Sequence, residues 1–130
     1  MRVRAPLYAI ALVFLVVVSM GAQQDESRIY SNVEYNQEGG DLLGVEVQLT
    51  TNGAKIKGQL KIYQGGCAAP VAVSGSLIEG KMDLSDRSEE YGKVELAGTI
   101  RDTTVDGVLH REKAEKPEKV RLKKILEPHC

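Results

Sequence analysis

Tryptophan is absent from this chain, and phenylalanine occurs once, as Phe14. A core must therefore come from valine, leucine and isoleucine, with tyrosine as the only large ring. Histidine occurs twice, as His110 and His129. A hydrolytic triad needs a histidine held between a nucleophile and a carboxylate. His129 adjoins the C-terminus, His110 is expected to point outward near a strand end, and no Gly-x-Ser-x-Gly elbow accompanies them. The two cysteines, Cys67 and Cys130, form no Cys-x-x-Cys pair, so even with His129 they fall short of a structural zinc site. Gly39-Gly40 and Gly65-Gly66 are followed by neither Lys-Ser/Thr nor a helix start, which makes them turn glycines rather than phosphate loops. Asp83, Asp86, Glu89 and Glu90 lie in or beside a polar loop without calcium-loop spacing. Nothing sets two of them at the separation across a cleft that a glycosidase requires. No catalysis, cofactor or metal is expected. The balance of 17 Lys and Arg against 18 Asp and Glu does not suit a general nucleic-acid binder.

Residues 1–22 read as a secretory signal peptide. Met1-Arg2-Val3-Arg4 supplies positive charge, Ala5 to Val18 an apolar run, and Ser19, Gly21 and Ala22 the small residues of a cleavage site. The competing reading is an uncleaved anchor, since a helix from Ala5 to Ala22 would reach ~27 Å, just short of the ~30 Å hydrocarbon core. Removing the leader takes two arginines and no acid, so the exported chain is mildly acidic. No Asn-x-Ser/Thr sequon is present, which leans towards a bacterial periplasmic or secreted setting. Residues 23–28 are polar and read as a disordered lead-in, and 29–130 as a single β domain.

One unit recurs where motifs are missing. An apolar-x-Gly-x-apolar pattern occurs at Ile56 to Leu60, Val73 to Leu77, Leu96 to Ile100 and Val105 to Leu109. Side chains alternate faces along a strand, so Gly58, Gly75, Gly98 and Gly107 each share the inward face with their apolar neighbours. A mid-strand glycine is tolerated where a strand bends sharply or backbones approach closely. Alternation places strands at Ile29 to Tyr35, Leu43 to Thr50, Ala54 to Tyr63, Val71 to Ile78, around Met82 and Leu84, and at Lys93 to Ile100, Val105 to His110 and Lys119 to Ile125. In the first, Ile29, Ser31, Val33 and Tyr35 share one face, while Asp86 to Gly92 is read as a loop. Asn52-Gly53 marks a hairpin. These signals give an all-β antiparallel meander of eight strands, and the inward glycines favour an up-and-down barrel over a two-sheet sandwich.

In outline the chain is similar to small bacterial exported β-domains and, loosely, to lipocalin-like barrels. It carries no family-defining motif, so no residue role is transferred.

An even cysteine count in an exported chain predicts a Cys67–Cys130 disulfide, worth about 4 kcal/mol for a loop of about 64 residues in the chain-entropy account. Free thiols or an intermolecular bridge are the alternatives. Lys119, Arg121 and Lys123 share the outward face of the last strand, and Lys55, Lys57 and Lys61 that of the third. Such stripes suit weak contact with an anionic surface, or simply protect edges. Tyr30, Tyr35, Tyr63 and Tyr91 lie at strand ends or in loops, where tyrosine can stack on a sugar or anchor an interface. Two functions from different classes remain. One is a monomeric, non-catalytic exported domain that binds a small apolar ligand inside the barrel or a protein partner on its loops. The other is an inhibitor that inserts the loop Gln64 to Pro70 into an extracellular or cell-wall hydrolase.

Overall fold

The computed structural model describes residues 26–130. The expected signal peptide, and its alternative as an anchor, lie outside the described residues. Nine antiparallel strands follow in order: β1 (Glu26–Ser31), β2 (Glu34–Asn36), β3 (Asp41–Asn52), β4 (Lys55–Gly65), β5 (Val71–Ile78), β6 (Lys81–Ser88), β7 (Gly92–Ile100), β8 (Thr104–Arg111) and β9 (Glu118–Ile125). From β3 to β9 each strand pairs with its neighbour in sequence, and β1 joins β9 to β3. The result is a closed eight-stranded barrel with one extra strand, β2, which carries the line of β1 onward along β3.

Closure turns one face of each of the eight ring strands into core, while β2 is exposed along its length. Val47, Leu60, Leu84, Val94, Leu96, Val105 and Leu122 are fully buried, and Tyr30, Leu49, Ile56, Val73, Met82, Leu109 and Val120 are nearly so. Each large aliphatic side chain removed from water contributes about 1.5–3 kcal/mol. The interior is filled by these side chains.

The repeated glycines permit this closure. A methyl group at Gly75 would land on the Asp83 carbonyl, at Gly98 on the Asp106 carbonyl, and at Gly107 within 2.6 Å of the Ala97 carbonyl. Gly98 and Gly107 are direct partners across β7 and β8, so two backbones meet where any side chain would hold them apart. That close approach lets the sheet coil tightly enough to close.

The structure adds to the sequence reading or departs from it at several places, and the strand read over Ile29 to Tyr35 is interrupted at Asn32 and Val33. On β1, where alternation left the inward face unassigned, Tyr30 faces inward and Ile29 outward, because Tyr30 lies opposite the inward Val47 and paired residues share a face. Pairing of Glu26 to Arg28 with Thr51 to Leu49 starts that strand at Glu26, within the stretch read as a lead-in. Asp86 to Ser88, read as loop, extends β6, since Asp86, Arg87 and Ser88 pair with Val94, Lys93 and Gly92.

Candidate binding site at the barrel mouth

One end of the barrel carries an open cleft of about 160 Å³, bounded by Tyr30, Leu49, Leu77 and Ile100 inside and by Glu26, Arg28 and Thr51 at the rim. Tyr30 and Leu49 form its floor at the edge of the packed core, Leu77 and Ile100 are the last inward positions of β5 and β7, and Arg28 and Thr51 follow on the inward face towards the opening. Arg28 spans the opening. Its guanidinium lies 3.4 Å from Glu26 on its own strand and 3.6 Å from Asp102 in the β7–β8 turn. The Tyr30 hydroxyl raises the Arg28 pKa most, burial opposes it, and Glu26 and Asp102 add smaller upward effects, so the cation persists at all ordinary pH. An apolar floor beneath a charged rim suits a small apolar group with a polar end.

A second cluster lies on the outside of the barrel. Glu46 points outward from β3, yet is only 2% exposed, because the C-terminal tail crosses the sheet above it. The predicted disulfide is present: Cys67 and Cys130 are bonded, with 5.8 Å between their Cα atoms. It anchors the tail beside the end of β4, and Lys61 Nζ donates to the Cys130 carbonyl at 3.3 Å. This sets His129 Nδ1 2.6 Å from Glu46 Oε1, while the His129 backbone N–H and the Tyr63 hydroxyl each donate to Oε2 at 3.3 Å. Burial pushes the Glu46 pKa up, but hydrogen bonds from His129 and Ser31 outweigh it and hold the carboxyl below its ordinary value. Burial, then the Glu46 charge, push the Tyr63 hydroxyl up. A buried carboxylate satisfied by several donors is a structural clasp.

The other sequence candidates are scattered. His110 is exposed on β8 opposite Glu95, and Asp83, Asp86, Glu89 and Glu90 are all exposed. Among the described residues, no group of three or more His, Cys, Asp or Glu side chains could hold a metal ion. Of the tyrosines proposed for stacking, Tyr30 and Tyr63 are buried, and Tyr91 is half-buried with Arg111 5.7 Å above its ring. Tyr35 alone of these is freely exposed, at 61%. Of the segment Gln64 to Pro70 read as a loop, Gln64 and Gly65 extend β4 by pairing with Leu43 and Leu42, and the remainder is tied to the C-terminus through Cys67.

Sequence reasoning did not find Glu46 or the mouth residues Arg28 and Leu77. A signal for the clasp did exist: Cys67 follows Tyr63 by four positions and His129 precedes Cys130, so the disulfide brings the two rings near each other. They lie 6.4 Å apart, edge to face. Comparison with known protein families, curated proteins and solved structures finds no match for the chain.

Proposed function

We propose that this protein is an exported, non-catalytic binding domain that takes one small apolar group, about the size of a single ring, into the mouth of its barrel. The observation that carries the reading is the cleft of about 160 Å³ between Tyr30, Leu49, Leu77 and Ile100. A site of ~150 Å³ lined by aliphatic and aromatic side chains is large enough for benzene. With the interior filled, a ligand has room at the mouth rather than along the axis. Arg28 at the rim favours a ligand whose polar end is anionic. Export rests on the leader-like N-terminus, and the disulfide is consistent with an oxidising compartment.

The test follows the methyl signals of Leu49, Leu77 and Ile100 by NMR while benzoate and hexanoate are added in turn. Saturable shifts confined to these methyls, abolished in a cleft-filling Leu77→Phe variant, support the reading. Unmoved methyls at millimolar probe, together with no small-molecule adduct on protein purified from an exporting host, sink it. A hydrolase-inhibitor reading retains one specific observation, the covalent pinning of the Gln64 to Pro70 loop, which lowers the entropy cost of inserting it into a cleft.

A further inference from the structure

We propose that the open seam between β2 and β9 is a strand-addition site, and that its occupant is an extended segment of a partner protein alternating acidic and apolar side chains. The barrel is closed over only three residue pairs at this point, Ile29 to Ser31 against Ile125 to Lys123. From Asn32 onward the chain stays with β3: the Asn32 N–H donates to the Val45 carbonyl, and Glu34 to Asn36 pair with Leu43 to Asp41. It no longer reaches β9. Continued in register, Glu34 would lie against Val120 and Asn36 against Glu118. The two strands instead diverge, leaving clefts of about 380 and 510 Å³ along the gap.

Both edges of the gap carry backbone groups directed into it. In an antiparallel ladder, successive residues point their N–H and C=O groups to opposite sides. Lys124 donates to Thr103 beside β8, so the even residues of β9 face β8 and Lys119 and Arg121 face the seam. On the opposite edge Asn32 faces β3, so Val33 and Tyr35 face the seam. The Val33 N–H is taken by Ser31 Oγ at 3.1 Å, which leaves the Tyr35 backbone as the open position. An unpaired edge of this kind is a template for another strand.

Charge and exposure define the occupant. Lys119, Arg121 and Lys123 stand on the outer face beside the gap. Arg121 is engaged by Asp106 at 3.6 Å, whereas Lys119 and Lys123 have no ion-pair partner among the described residues. A strand laid along β9 would meet these cations with one set of alternating side chains, and acids there are favoured. Its other face would meet the barrel rim, where Leu43 is 48% exposed. This site lies at the end of the barrel away from the mouth cleft and does not depend on that reading.

The test uses two heptapeptides, one alternating valine and glutamate and one alternating valine and lysine, titrated into the disulfide-bonded protein and read by amide NMR and calorimetry. The glutamate peptide should bind saturably, shift the amides of Tyr35, Lys119 and Arg121, and slow their exchange, while the lysine peptide binds at least tenfold more weakly. Lys119→Pro removes a seam-facing N–H without touching the β8 ladder. It should weaken binding at least tenfold beyond Lys119→Ala, which removes only the charge. If the proline variant does not fold, the neutral variant K119Q/R121Q/K123Q must show the same loss. Equal binding of both peptides, or proline and alanine variants that bind alike, overturns the proposal. So does association only with anionic phosphatidylglycerol vesicles, or a shift of the protein to dimers with no peptide binding.

Discussion

The middle of β3, from Val45 to Val47, is buried on both faces, by different means. Val45, Val47 and Leu49 face inward and are covered by the ring of strands, whereas Glu46 faces outward and is covered by a tail that only its last residues and a disulfide hold in place. Inside, burial is apolar, distributed around the whole barrel and tied to the hydrogen-bonded ladders. Outside, burial is polar and local. It hangs on one covalent bond and a few charge-assisted hydrogen bonds. The inner face should therefore govern whether the barrel exists, and the outer face how its C-terminus is held.

The inner side of this comparison breaks first. Leu60→Ala removes a fully buried side chain from the centre of β4 and should cost about 2–5 kcal/mol, read from the urea midpoint and slope. A loss below 1 kcal/mol would mean that the interior relaxes far more than its packing implies. The outer side is separated from it by Cys130→Ser, which should cost about 2–4 kcal/mol. That variant should keep its barrel spectrum while amide exchange accelerates selectively in residues 126–130. Global loss of structure would instead make the clasp part of the core.

Glu46→Gln sharpens the contrast within the clasp. It weakens charge-assisted bonds without creating a cavity and should cost about 1–3 kcal/mol at neutral pH. It should also flatten the acid limb of the stability profile. Because the folded carboxyl titrates below its ordinary value of 4.5, the unfolded chain binds more protons in the window between the two pKa values. The Glu46 contribution is thus fully present above the ordinary carboxylate range and disappears as pH falls through the folded value. The groups facing it are His129, Tyr63, Ser31 and, paired with it on β4, Lys61, and Glu112 on the surface is also shifted down. Comparing denaturant midpoints at pH 7 and pH 3 for the wild-type and Glu46→Gln proteins isolates the Glu46 share. Parallel acid limbs would exclude it. The smallest effect lies in a turn outside both faces: Glu79 has a left-handed φ of 52°. Glu79→Gly should stabilise by a few tenths of a kcal/mol, up to about 1, measured as a shift in Tm.

The pattern of the inner face was readable because it is local. Period-two alternation and the four repeated glycines placed Ile56, Leu60, Val73, Leu96 and Leu109 in the core before any contact was known. The same logic left the inward face of β1 open, since a short strand rich in polar residues reads in either register and only pairing with β3 settles the choice. Tyr63 misled in a similar way. A tyrosine near a strand end resembles an interface anchor until a tail buries it.

The mouth cleft and the seam were invisible for a further reason. The cleft gathers Tyr30, Leu49, Leu77 and Ile100 from four strands, and the seam exists because β1 leaves β9 at Asn32 while staying with β3. Neither is a property of any one segment.

The sequence by itself determined the all-β meander, the inward glycines, the core positions of most strands and the pairing of the only two cysteines. All of these follow from side-chain alternation or from an even cysteine count. Tertiary structure alone decided that Glu46 meets His129 across 83 positions, that an outward acid is buried, and that the ring leaves a gap at β2 and β9. Those outcomes depend on closure and on where a tethered tail lies, and local periodicity carries no information about contacts between segments so far apart in the chain.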